Sequence, residues 1–328
     1  MTICKKAWLL TLLFAAVFTL QLYAQFSGGS GTEANPYQVA TAADLNNVRN
    51  YLSSHFIQIA DIDLGVAPWN EGEGWVPIGD ETNNFIGSFN GNDFVITGLY
   101  VNRIDIDYQG LFGVIHAANI VQVTLQNANV RGRYETGSLI GRGRVNSQVL
   151  NCSASAVVNG INAIGGLMGW AGIDGSYQGM IVSNCSFMGN VSGNDYIGGL
   201  IGSMNRSTVT NCYSSGVVEG LNHIGGLVGL KHYSTSSNCM SSCSVTGSTL
   251  VGGLIGNDFE SNTTINCFST GDVTGIDIVG GLVGSIEWYT GVTNCFSTGI
   301  VTGNTQCGGL IGRSIRDSGV SNSYWNSD

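Results

Sequence analysis

Six aromatic side chains and a few acids near them are the residues whose types and spacing could do chemistry. Tyr233, Phe259 and Trp288 with Tyr289 fall 8 to 10 residues into three successive copies of a repeated unit, and Trp170 and Tyr177 fall in the corresponding region of an earlier copy. Rings stacked at unit spacing are expected to form a strip that suits a sugar or a protein partner. The competing expectation is that they fold down over their own wall. Asp258, Glu260 and Glu287 lie near the strip, with Arg206 and Lys231 the nearby basic residues. Two carboxylates about 5–9.5 Å apart can cleave a glycosidic bond, but solvated acids on an acidic surface read the same way, so no catalytic residue is assigned.

Metal chemistry is not indicated. Cys152, Cys185, Cys212, Cys239, Cys267 and Cys295 recur one per unit with no histidine at matching spacing, whereas zinc ligands cluster as C-x2-C. They are expected to form a column of small buried side chains. Disulfides, either Cys239 with Cys243 or between neighbouring members of the column, stay open for an exported chain. Each is preceded by an asparagine: Asn151, Asn184, Asn211, Asn238, Asn266 and Asn294. Stacked amides can hydrogen-bond to one another, and asparagine tolerates a left-handed bend. Such a bend would let Val292 and Cys295, three residues apart, face the same side. The acid pairs Asp61/Asp63 and Asp105/Asp107 lack the calcium-loop pattern. No cofactor is expected.

These positions are held by a repeat. A glycine-framed motif starts at Tyr108 (YQGLFG), Thr136 (TGSLIG), Ile164 (IGGLMG), Ile197 (IGGLIG), Ile224 (IGGLVG), Val251 (VGGLIG), Val279 (VGGLVG) and Cys307 (CGGLIG), in steps of 27, 28 or, once, 33 residues. A fixed period implies one supersecondary unit per copy. With 49 glycines and 10% charged residues, the chain is neither disordered nor helical. Each copy holds three short apolar pieces, such as GGLVGSI, GVTNCF and GIVTG, none long enough for a stable helix. Three strands per turn, stacked about 4.8 Å apart, predict a parallel β-solenoid.

The G-L-hydrophobic-G core followed by NCFSTG and VTG resembles the GLUG repeat of bacterial exported and cell-surface proteins, over Tyr108 to Asp328. The resemblance implies an all-β, right-handed parallel β-helix of about 27–28 residues per coil. It associates the chain with adhesive or surface-interaction roles and supplies no catalytic residues. SNSYWNSD at the end of the array carries Ser323 in place of the ladder cysteine; either the chain is a fragment or Tyr324 and Trp325 shield the last coil.

Residues 25–107 are expected to form the N-terminal cap and irregular first coils, because a solenoid's first coil exposes strand edges. Thr41 is a helix N-cap candidate, with Leu45, Val48 and Leu52 on one face of the cap's one short helix. Residues 1–24, with Lys5-Lys6 before an apolar run and LYA before Gln25, read as a secretory signal peptide. No later stretch reads as a membrane span. Removing the two lysines takes the net charge from −10 to −12, which disfavours nucleic acid. The expectation is an exported, surface-associated, adhesin-like module without catalysis, binding an extracellular polysaccharide or a surface protein. The alternatives are a polysaccharide lyase or hydrolase, or a structural spacer in a longer surface protein.

Overall fold

The computed structural model describes residues 25–172 and 179–326; the signal-peptide segment lies outside them. The chain winds as a parallel β-solenoid whose strands stack coil on coil into sheets of seven, eight, eleven and thirteen strands. Sheet I runs from Tyr134–Thr136 to Thr305–Gly308 and sheet II from Phe112–Ile115 to Ile311–Ile315. Sheet III runs from Tyr37–Val39 to Gly319–Ser321, and sheet IV from Ile62–Asp63 to Tyr324–Trp325.

One coil shows the plan: Asn222–Gly225 in sheet I, Val228–His232 in sheet II, Thr235–Ser237 in sheet III and Met240–Thr246 in sheet IV. There are four strands, not the three expected, because the glycine-framed motif is a corner. In IGGLVG, Ile224 and Gly225 end sheet I, Val228 and Gly229 begin sheet II, and the fully buried Leu227 fills the bend between them. A Cβ on Gly225 would sit 2.0 Å from the Val228 carbonyl oxygen, and one on Gly226 would sit 2.1 Å from that of Gly253 in the next coil. Only glycine allows backbones to approach this closely. Each coil then buries an aliphatic set such as Ile224, Leu227, Val228 and Val245, at about 1.5–3 kcal/mol per side chain.

The corner between sheets III and IV is made differently. Asn151, Asn184, Asn211, Asn238, Asn266 and Asn294 are all left-handed, with φ between 52° and 55°, a conformation that disfavours residues other than Gly, Asn and Asp. Their side chains form an amide ladder: Asn184 Nδ2 donates to Asn151 Oδ1 at 3.0 Å, and the same bond continues up to Asn294 and Asn266 at 3.2 Å. The bend turns both Val292 and Cys295 into the core.

Behind the amides stand the six cysteines, buried and unpaired; all eight described cysteines are free, so neither disulfide pairing forms. Each ladder thiol donates to the carbonyl two residues back at 3.2–3.3 Å. Several also accept the backbone N–H of the preceding ladder cysteine, as Cys295 Sγ does from Cys267 at 3.4 Å. The bond to the thiol in the preceding coil, together with burial, pushes the Cys212, Cys239 and Cys267 thiols up to about 12.

At the N-terminal end, helix α1 (Ala42–Asn47) carries a full capping box, with the Thr41 hydroxyl and Asp44 carboxylate each accepting a backbone N–H of the other. Leu45 and Val48 are fully buried. Phe26, Tyr37, Tyr51 and Phe56 pack ring against ring beneath this segment, with centroids 4.4–5.8 Å apart. In the last coil the indole of Trp325 lies against Gly309. Among the described residues no helix is long and apolar enough to cross a membrane.

Candidate functional site

Two outer columns run side by side along sheets I and II. In sheet I the residue just before the motif's first position is left-handed in every coil: Glu135, Ala163, Tyr196, His223, Leu250, Ile278 and Gln306, with φ of 44–59°. The strand ladder passes over them, pairing Tyr134 with Asn162 and Thr136 with Ile164, so they stand apart from the core-facing Ile164, Ile197 and Ile224. In sheet II the registered column reads Arg142, Trp170, Ser203, Leu230, Asn257, Ser285, Arg313. Neither column keeps one residue type, unlike the Asn-Cys corner.

Where small and large residues alternate across the two columns, a pocket of about 270 Å³ opens, lined by Glu135, Asn162, Ala163, Trp170, Tyr196 and Ser203, with Tyr134 at its edge. Ala163 shares a coil with Trp170, and Tyr196 shares the next coil with Ser203, so each ring has a small neighbour along its column. The other neighbours are occupied: the Arg142 guanidinium lies 4.3 Å from the Trp170 ring centroid, and the His223 ring lies 4.8 Å from that of Tyr196. Arg142 also donates from Nε and Nη2 to the two carboxylate oxygens of Glu135. Burial raises the Glu135 carboxyl above its usual range, and the bonds from Arg142 oppose that rise.

The aromatics expected in one strip occupy different places. Tyr233 and Trp288 sit at the left-handed corner between sheets II and III, with φ of 48° and 56°. By position in the repeat, that corner reads Arg206, Tyr233, Glu260, Trp288, Arg316. Arg206 lies over the Tyr233 ring at 4.3 Å and Arg316 over the Trp288 ring at 3.8 Å, so one face of each ring is covered from within the chain. Hydrogen bonding with Tyr233 and then His232 holds the Glu260 carboxyl below its usual range. Phe259 ends a sheet II strand in register with His232 and Glu287, its ring 5.4 Å from that of His232. Tyr289 is 65% exposed, and Tyr177 lies outside the described residues. Of the five that are described, Trp170 alone takes part in the pocket. The two adjacent coils that start at Val251 and Val279 are each one residue longer than that at Ile224, and the extra residue is a second left-handed corner residue, Ser261 or Tyr289.

The acids near the expected strip are mostly withdrawn from solvent. Asp258 and Lys231 face each other inside the solenoid, both fully buried, Nζ to Oδ2 3.1 Å. Thr264 donates to the same carboxylate, and Lys231 donates to Thr264 and to the Thr263 carbonyl. Burial raises the Asp258 carboxyl and Lys231 opposes the rise. Glu287 accepts from Ser285 and Arg313. Asp107 is held by Arg133 at 2.7 and 2.8 Å, and Asp63 accepts the Gly65 N–H. Among the described residues no three His, Cys, Asp or Glu side chains group as metal ligands.

No family model matches the chain. A stretch of 113 residues, 34% of the chain, is 49% identical to part of a protein of Evansella cellulosilytica provisionally named a Gly-rich membrane protein. A stretch of 151 residues, 43% of the chain, is 34% identical to part of a Haloquadratum walsbyi protein named halomucin. These matches span 13% and 2% of those relatives' own length. A Bacteroides ovatus crystal structure, provisionally named an immunoglobulin A1 protease, superposes with a TM-score of 0.64 over 92% of this chain and 87% of that one, at 20% identity. That likeness shows the β-solenoid fold and nothing of the activity.

The sequence does not single out Tyr196, Glu135, Ala163, Ser203 and Arg142, because the larger aromatics fall in the loop after the motif. A signal is present: the position just before the motif varies from Glu through Ala and Tyr to His while the motif that follows repeats.

Proposed function

We propose that the chain is an exported, surface-associated binding module of the GLUG-repeat kind, without catalysis. It contacts an extracellular glycan or a surface protein through the outer columns of sheets I and II and the aromatic corner beside them. The observation that carries this reading is that residue types change from coil to coil along the outer columns of sheets I and II, where they form an aromatic-walled pocket on a rigid wall. Small-ligand sites combine apolar walls with a few placed polar groups in this way. The relatives support the context, since the similar segments are small parts of much longer proteins, one of them named a membrane protein.

Glycoside hydrolysis generally needs two carboxylates flanking the bond, and the pocket lining holds one, Glu135, already bound by Arg142. Binding is therefore favoured over cleavage. The test is to incubate the purified chain with a panel of bacterial, plant and host polysaccharides, scoring retention and new sugar ends together. Retention without new ends is expected. New ends that vanish in a Glu135→Gln variant would make the protein an enzyme, and neither retention nor new ends would remove the glycan reading in favour of a protein partner or a spacer.

A further inference from the structure

We infer that the pocket between Trp170 and Tyr196 is a subsite for a single uncharged sugar ring within a glycan chain; this rests on the binding reading above and names its ligand class. Four observations converge on it. First, the two rings border the pocket from successive coils, and the residues beside them along their columns, Ser203 and Ala163, are too small to fill the space. Aromatic rings at such a gap offer apolar faces for the C–H face of a pyranose. Second, about 270 Å³ lies just below the roughly 300–1,000 Å³ typical of pockets for drug-sized ligands, which suits one ring better than an extended segment.

Third, the charge balance is closed. The Arg142 guanidinium behind the wall is committed to Glu135 and to the Trp170 ring, and the lining itself contributes no cation. A carboxylate or sulfate on the sugar would meet Glu135 with no free positive partner, so an uncharged ring is preferred. Fourth, the walls carry unmet polar demand: Trp170 Nε1, a donor, and Asn162 Oδ1, an acceptor, have no partner in the chain. Both are covered in the free protein, so they mark an unfinished polar wall rather than exposed contacts.

The coils themselves supply the variants that close this pocket. At the column position of Ala163 a later coil carries Leu250, in the same left-handed conformation, and at the position of Ser203 the next coil carries Leu230. Ala163→Leu and Ser203→Leu therefore place side chains that the fold accepts elsewhere. The purified chain and both variants are titrated by calorimetry with cellohexaose, laminarihexaose and maltohexaose as uncharged probes and with hexagalacturonate as the anionic one, after matching melting curves confirm folding. The expected result is binding of at least one uncharged probe, tighter than hexagalacturonate, and weakened at least tenfold by each leucine, while Met188→Ala, at an exposed position of sheet IV away from the proposed surface, leaves it unchanged. Binding that survives both leucines, or a preference for hexagalacturonate, overturns the subsite while leaving the binding module intact. No binding of any uncharged probe overturns it too. Loss of polysaccharide retention by the unmodified chain would instead remove the reading on which it rests.

Discussion

The corner between sheets III and IV and the outer columns of sheets I and II are both built once per coil, yet they are opposite in kind. At the corner the same residue pair recurs from Asn151-Cys152 to Asn294-Cys295, each amide bonded to the one in the coil before. In the outer columns the coil-to-coil neighbours are Arg, Trp and Ser on one side and Glu, Ala and Tyr on the other. Both regions use left-handed backbone, so geometry does not separate them. The corner needs a side chain that tolerates the bend and bonds to its copies, and Asn meets both needs. The outer columns carry no such demand, and around Trp170 and Tyr196 they are partly open to solvent. In a solenoid, a position that repeats is answering its neighbours, and a position that varies is free to answer something else.

The largest expected effect comes from the buried ion pair between Lys231 and Asp258, where variation from coil to coil reaches the core. Lys231→Met leaves Asp258 buried without its cation, and about 3–5 kcal/mol of stability should be lost, read by urea denaturation. Lys231→Met with Asp258→Leu removes both charges and should restore most of that loss. A double variant as unstable as the single one would show that the pair does more than neutralise itself.

Next in size, Asn238→Ala breaks two rungs of the amide ladder and forces alanine into the left-handed region, a loss of about 2–3 kcal/mol. Asn238→Gly should lose roughly half of that, because glycine adopts the bend freely. Equal losses for the two would mean the bend contributes nothing. At the other end of the chain, Thr41→Ala should lower stability by about 1 kcal/mol, since Asp44 N donates to that hydroxyl.

The cysteine column gives a pH dependence with a definite sign. The Cys212, Cys239 and Cys267 thiols ionise at about 12 in the folded chain against 9.0 as the reference. Between those values the unfolded chain has lost protons that the folded chain keeps, so stability is fully present below about pH 9 and falls as pH rises towards 12. Melting curves from pH 7 to 11 should show this slope, and Cys239→Ser should reduce it. A thiol reagent at neutral pH should label Cys307, the exposed member of the eight described, long before the ladder. The smallest effect belongs to the exposed corner: Tyr289→Ala should change stability by no more than about 0.5 kcal/mol.

The solenoid was legible because its period is written in glycines that only a close backbone approach requires, and the bend at Asn was legible because few residues accept it. The number of strands was not: GGLVGSI reads as one apolar piece, and only the collision that a Cβ on Gly225 or Gly226 would suffer shows it to be a corner joining two strands. The strip was misplaced for a related reason. Phe259 comes one residue earlier in its repeat than Tyr233 and Trp288 do in theirs, which puts it at a strand end in register with His232 and Glu287 while they stay at the corner. Asp258 reads as a surface acid because its burial depends on Lys231 in the previous coil, a pairing that register reveals and spacing does not.

The proposal that separates these two regions most sharply is that the repeating corner holds the fold while the varying outer columns hold the ligand. Its most direct measurement is polysaccharide retention per folded molecule for Asn238→Ala and Ala163→Leu, each assayed below its own melting transition. Asn238→Ala is expected to melt earlier but retain glycan normally, whereas Ala163→Leu is expected to melt like the parent and lose retention. Normal retention by Ala163→Leu, or lost retention by folded Asn238→Ala, would contradict it.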